Sequence, residues 1–184
     1  MTDWPAWATE KVEVRPPEAS WQKQGEHECR FLEVTLARWL VAPVEHVGST
    51  AVPGMAAKPI LDMQAAVADL GCAPDVAVAL GTASWHYVPA DLDGRPWRRF
   101  FVKVLDGHRA AHLHVMSRGT ARWGEQLAFR DALRAEPELV ERYAALKRDL
   151  ADRHRDAREA YTDEKETFVR AVLANGKRGP SAGK

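Results

Sequence analysis

Cysteine is nearly absent from this chain: Cys29 and Cys72 are the two among 184 residues. Their spacing matches no metal-ligand pattern, and a disulfide framework needs more, so two free thiols in a reducing compartment are expected. No run of residues approaches the apolar length of a membrane span. The N-terminal MTDWPAWATEKVEV carries acids and two tryptophans where a signal peptide would carry an apolar core. A cytoplasmic protein with no membrane partner is the expectation. An excess of either charge is lacking too, with 26 Lys+Arg against 26 Asp+Glu. That balance argues against general nucleic-acid binding, while a local basic cluster can still hold a small anion. GxxxxGK[ST] and GxGxxG are both missing, so neither a mononucleotide P-loop nor a dinucleotide fold follows.

What is present is an ordinary globular composition, 46% hydrophobic and 28% charged. The length suits one domain with a real core, over residues 1–174. The closing GKRGPSAGK is rich in Gly, Pro, Ser and Lys, and 175–184 is expected to be a disordered tail. KVEV (Lys11 to Val14) alternates like a short strand. From Glu18 to Leu40 some apolar residues fall at helical spacing, with Ser20 as a candidate cap and Pro43 beyond the end. VEHVG (Val44 to Gly48) reads as a strand running into a turn, and Pro59 to Val67 as a strand with Ile60, Asp62 and Gln64 on one face. A short helix over Asp75 to Leu80 precedes three strand-like stretches, Trp85 to Val88, Arg98 to Val104 and Ala111 to Met116. From Arg122 the pattern turns helical, with a stripe of Leu139, Tyr143, Leu146 and Leu150 and a last one of Tyr161, Lys165, Phe168 and Val172. Strands in the middle with helices on both sides argue an α+β fold, a mixed sheet covered by helices with a C-terminal helical segment.

The densest feature is HVGSTAVPGMAAKPILDMQ, residues 46–64. Gly48 and Gly54 permit a tight turn and close approach of backbone N–H groups to an anion. Ser49 and Thr50 add hydroxyls, Lys58 a positive charge, and Asp62 a carboxylate on the following strand. A phosphate cradle beside a carboxylate that can hold a divalent metal is what phosphoryl transfer needs. The same residues also suit a plain turn next to a structural aspartate. His112 and His114, two apart, share a strand face; with Asp62 they suit a mixed metal site, a general base, or polar contacts inside a covered sheet. His46 reads as a loop-orienting group. Arg98 and Phe100 take one face of their strand, and Arg99 and Phe101 the other.

The 46–64 stretch resembles the signature of the GrpB family, which reads approximately HxGSTxVPGLxAKPxxD. HLHV (His112 to Val115), FRDALR (Phe129 to Arg134), YAALK (Tyr143 to Lys147) and YTDEK (Tyr161 to Lys165) continue the resemblance in order. It implies a fold similar to the polymerase-β-type nucleotidyltransferases. Gly48 and Ser49 would then map onto the phosphate-binding turn and Asp62 onto the first metal carboxylate, with Mg²⁺ or another divalent ion as cofactor; the shared strand face, not the resemblance, adds His114 as a further ligand. Lys165 and Arg130 would close a basic wall opposite the loop. The resemblance implies a possible nucleotidyltransferase, with a nucleotide or other small phosphorylated ligand as its partner. The alternative it implies is a non-catalytic binding or folding-accessory module related to coenzyme A biosynthesis, since similar domains are joined to dephospho-coenzyme A kinases. Gln64 stands where those transferases carry a second acid, which favours a one-metal, imidazole-containing or metal-free anion site over a two-metal one.

Overall fold

A computed structural model describes residues 5–10, 13–153 and 158–176, with backbone alone for Thr9, Ala151, Asp152 and residues 158–163. The chain divides into two compact units, Met1–Gly124 and Glu125–Lys184.

The first unit contains α1 (Ser20–Leu36), β1 (Glu45–Val47), a 3-10 turn (Ser49–Ala51), β2 (Leu61–Val67), α2 (Ala73–Gly81), β3 (Trp85–Val88), the single turn α3 (Ala90–Asp93), β4 (Arg98–Leu105) and β5 (His108–Ser117). The strands form one sheet in the order β1-β2-β5-β4-β3. β2 and β5 run parallel and the other neighbours antiparallel. This is the expected mixed sheet of an α+β fold.

Alternation divides the sheet into two chemically different faces. Leu61, Met63, Ala65 and Val67 of β2 join Leu113 and Val115 of β5 and Phe101 of β4 in one core. α1 and α2 cover that face with Trp21, Leu32, Leu36, Val76 and Leu80. α1 buries Trp21, Gly25, Glu28, Leu32 and Leu36, the three-and-four spacing of one helical face. Glu28 is tolerated in this stripe because Lys103 Nζ lies 2.9 and 2.7 Å from its two oxygens. Asp62, Gln64, His112, His114, Arg98 and Phe100 take the opposite face, so the residues with chemistry are sorted from the core by strand periodicity alone.

Three local expectations need correction. Ser20 caps nothing: Ala19 occupies the cap position with helical dihedrals and no side-chain bond. α1 stops at Leu36, short of Leu40, because Trp39 and Leu40 fold back onto the Leu36 carbonyl and Leu40 then bridges to Val67 at the sheet. Lys11 and Val12 of the expected first strand lie outside the described residues. Glu13 and Val14 are not strand, and Arg15 makes an isolated bridge to Ala57. β4 and β5 run longer than expected. They form a hairpin closed by Asp106 and Gly107, both with positive φ (52° and 79°), a two-residue turn whose twist matches the strands.

The division between units falls within α4 (Ala121–Ala135), which is followed by α5 (Pro137–Arg153) and α6 (Arg158–Gly176). In the second unit the Phe129 and Tyr143 rings meet edge-on at 5.1 Å, and Tyr143 stacks on Phe168 at 5.4 Å. The α5 stripe passes through Lys147, which is buried, where Leu146 was expected; Leu146 is half-buried. The four-residue steps Leu139, Tyr143, Lys147 account for this, and the ammonium settles 5.0 Å from the Tyr143 ring centre. Arg130 donates to Asp131 at 2.8 Å. Lys165 is half-buried on α6, and the side chain of Tyr161 lies outside the described residues. α6 continues to Gly176, past the expected start of the tail, and 177–184 lie outside the described residues. Among the described residues no helix is long and apolar enough to cross a membrane.

Candidate functional site

β1 delivers the chain to Gly48, whose φ of 74° and ψ of −170° belong to a region open essentially to glycine. The reason for glycine is also spatial. A Cβ there would lie 2.5 Å from Asp62 Oδ2, so the carboxylate rests directly against the backbone of the turn. Gly48 is exposed, Ser49 half-buried and Thr50 buried. Thr50 was expected to offer its hydroxyl to phosphate, but that group is turned inward. It donates to the Ile60 carbonyl (3.3 Å) and accepts from His46 Nε2 (3.0 Å). His46 therefore orients the loop, as expected. α1 supports the same loop: Gln22 Nε2 donates to the Thr50 carbonyl at 3.1 Å, and a Cβ on Gly25 would lie 2.1 Å from His46 Nδ1. Lys58 is half-buried in the segment entering β2, its carbonyl accepting from the Ile60 N–H at 2.7 Å.

Parallel pairing sets Asp62 opposite His112 and Gln64 opposite His114. His112 Nδ1 lies 3.0 Å from Asp62 Oδ1 and donates to it. His114 Nε2 faces the same oxygen at 3.9 Å, beyond hydrogen-bond length. Phe100 packs against both imidazoles, with ring centres at 5.1 and 5.3 Å. On its other side His114 Nδ1 is held by Arg98 Nη1. Arg98 is in turn gripped by Asp93, Nε to Oδ2 at 2.8 Å and Nη2 to Oδ1 at 2.5 Å. Two buried acceptors on this face, His112 Nε2 and Gln64 Oε1, have no hydrogen-bond partner among the described residues. Gln64 uses its other end, Nε2, on the Trp123 carbonyl at 3.4 Å.

Burial works to raise the Asp62 carboxyl, but the imidazoles of His112 and then His114 more than reverse it and hold it well below the usual carboxylate range. A third of the Asp62 side chain is exposed, so water screens part of this effect. Burial pushes the His114 ring below its ordinary value of 6.5. Asp62 pulls the other way and the Arg98 charge reinforces burial. The unfolded chain therefore binds a proton near pH 6.5 that the folded chain refuses, and stability falls as pH drops below that value. Asp62 contributes with the same sign lower down: its stabilisation is complete above its ordinary value of 3.8 and is lost on further acidification. Calorimetric melting from pH 7.5 to 5 is expected to show a falling Tm, with a shallower fall in His114→Gln. Equal slopes would remove His114 as the cause.

Gly48, Ser49, Asp62, His112 and His114 are thus brought together. Arg130 and Lys165 belong to the second unit. Asp93, at the end of the single turn α3, was not legible as a site residue, since an acid in a turn carries no mark of the arginine it will meet.

A sequence model described as GrpB protein matches residues 11–175. UPF0157 protein YqkA of Bacillus subtilis is 32% identical over 91% of this chain, which spans about half of that relative's length (48%). A dephospho-CoA kinase of Mycolicibacterium paratuberculosis is 29% identical over 86% of the chain and 44% of its own length. The crystal structure of conserved protein GrpB from Enterococcus faecalis superimposes with a TM-score of 0.76 at 28% identity, covering 89% of this chain and 98% of that one.

Proposed function

This chain belongs to the GrpB family, and from that premise we propose that it transfers a phosphoryl or nucleotidyl group from a small phosphorylated ligand, using an imidazole base. The carrying observation is the Asp62–His112 couple: a carboxylate bonded to Nδ1 at 3.0 Å and a buried Nε2 with no partner among the described residues. An unpaired buried acceptor costs about 1–3 kcal/mol, and such an orphan points to a ligand that supplies the missing donor.

In this reading the Gly48–Ser49 turn receives the phosphate. His112 Nε2 takes the proton of an acceptor hydroxyl as its oxygen attacks phosphorus. The bond to the leaving phosphate breaks, and Asp62 stabilises the imidazolium. The residues present do not suit the divalent metal expected on Asp62 and His114. Gln64 is neutral, the one free lone pair of the neutral His114 ring faces Arg98, and among the described residues no three His, Cys, Asp or Glu side chains form a group able to hold a metal ion. No step is routed through a metal.

The match to a dephospho-CoA kinase supports a second reading, a module that binds a coenzyme A-like ligand without turnover. Calorimetry against nucleoside triphosphates, dephospho-coenzyme A and coenzyme A, with and without Mg²⁺, followed by turnover assays, separates the two. Transfer predicts metal-independent binding and a drop in kcat of about 10²–10⁴-fold in His112→Gln. Binding without turnover, unchanged in His112→Gln, supports the module. No binding to any of these compounds refutes both.

A further inference from the structure

The two histidines on β5 are chemically inequivalent, and the cause lies outside the loop and Asp62. Arg98 and Asp93 are almost wholly enclosed, with side chains 6% and 5% exposed. A guanidinium is always charged, carries only donors and has no lone pair. Its Nη1 contact with His114 Nδ1 therefore requires that nitrogen to be bare. In the neutral ring the proton then sits on Nε2, the nitrogen facing Asp62 Oδ1 at 3.9 Å. Asp93 holds the guanidinium through two parallel bonds, a geometry lysine cannot reproduce. Phe100, with the guanidinium 4.2 Å from its ring centre, closes the side of the assembly.

We infer that the buried Asp93–Arg98 pair is a positioning device that fixes His114 as the Nε2–H tautomer, leaving His112 as the one histidine of the pair able to act as base. Both nitrogens of His114 are committed, Nδ1 as acceptor from Arg98 and Nε2–H toward Asp62. His114 accordingly presents a donor dipole to the carboxylate and supports the ionised form on which His112 depends. His112 has the opposite arrangement: Nδ1–H is given to Asp62 and Nε2 is left with a lone pair. Arg98 and Asp93 touch neither acceptor nor phosphate in this scheme and act through His114. The assignment of roles rests on the acid–base reading above; the tautomer does not.

The test is a long-range ¹H–¹⁵N correlation spectrum of the ¹⁵N-histidine-labelled full chain, with His114 assigned by its disappearance in His114→Gln. The wild-type His114 signal is expected to show an unprotonated Nδ1 and a protonated Nε2. In Asp93→Asn/Arg98→Met, which removes the pair together and strands no buried charge, the Nδ1 resonance is expected to move toward the protonated or averaged position. A wild-type His114 carrying its proton on Nδ1, or on both nitrogens at pH 7.5, overturns the inference, and so does a double variant with an unchanged His114 pattern. The wild-type reading decides the matter even where the variant fails to fold. The expected tautomer together with no turnover on any phosphate compound would sink the transfer reading and leave this positioning role in place.

Discussion

Gly48→Ala is expected to cost about 1–3 kcal/mol of stability from backbone strain alone, and to reduce ligand binding or turnover by about 10²-fold or more through displacement of Asp62. Two independent effects coincide at this position. The dihedrals, φ 74° and ψ −170°, lie where a side chain is barely tolerated. The new methyl would also stand 2.5 Å from Asp62 Oδ2, 3.2 Å from its Cγ and 3.1 Å from its Cβ. The carboxylate must therefore move and the 3.0 Å bond to His112 cannot survive unchanged. Gly54→Ala is the control: its φ is also 74°, but nothing lies within 4 Å of a Cβ there. It should show strain with a much smaller loss of binding than Gly48→Ala. Urea unfolding and calorimetry on both variants check this. Equal losses of binding in the two would show that contact with Asp62 is not what makes Gly48 necessary.

Phe101→Ala is expected to cost about 3–5 kcal/mol, the transfer energy of the ring plus the cavity it leaves. Phe101 is fully buried on β4, packs against Tyr87 with ring centres 5.1 Å apart, and sits in the cluster that joins the sheet to α1 and α2. Val34→Ala, at a position 81% exposed on α1, should change stability by no more than about 0.5 kcal/mol. The readout is the urea midpoint with the slope checked for constancy, since an altered slope would report a changed denatured state. A loss below about 1 kcal/mol for Phe101→Ala would contradict the placement of this ring at the centre of the core.

Much of the site was legible before the structure because strand alternation is a strict two-residue rule. The pattern in PILDMQAAV placed Asp62 and Gln64 together and away from Leu61 and Met63. The same rule paired His112 with His114 and separated Arg98 from Arg99. The turn at Gly48 and Ser49 was legible from residue type. Helix limits were less so: the apolar residues Trp39 and Leu40 continue the periodicity of α1, yet belong to the segment that leaves it for the sheet. The hydroxyl of Thr50 was misassigned for a similar reason. A threonine next to a glycine turn looks like a ligand donor, and the competing acceptor, the carbonyl of Ile60, comes from a segment ten residues on. Leu146 was expected in the α5 stripe, and only the packed helix shows Lys147 taking a core position over Tyr143.

The sequence by itself determined the fold class, the two-faced character of the central strands and the turn at Gly48, because each depends on residue type and short-range periodicity, and the family through the resemblance of residues 46–64 to a known signature. Tertiary structure decided which of those residues act on one another. The Asp62–His112 bond spans 50 residues and the Arg98–His114 contact 16, and both exist because β2, β5 and β4 pair in one particular register. A slip of one residue would turn every one of these side chains to the other face, and no local pattern specifies the partner across the sheet. Asp93 is the clearest case. Its chemistry comes from the turn that carries its carboxylate back onto Arg98, and through Arg98 onto His114.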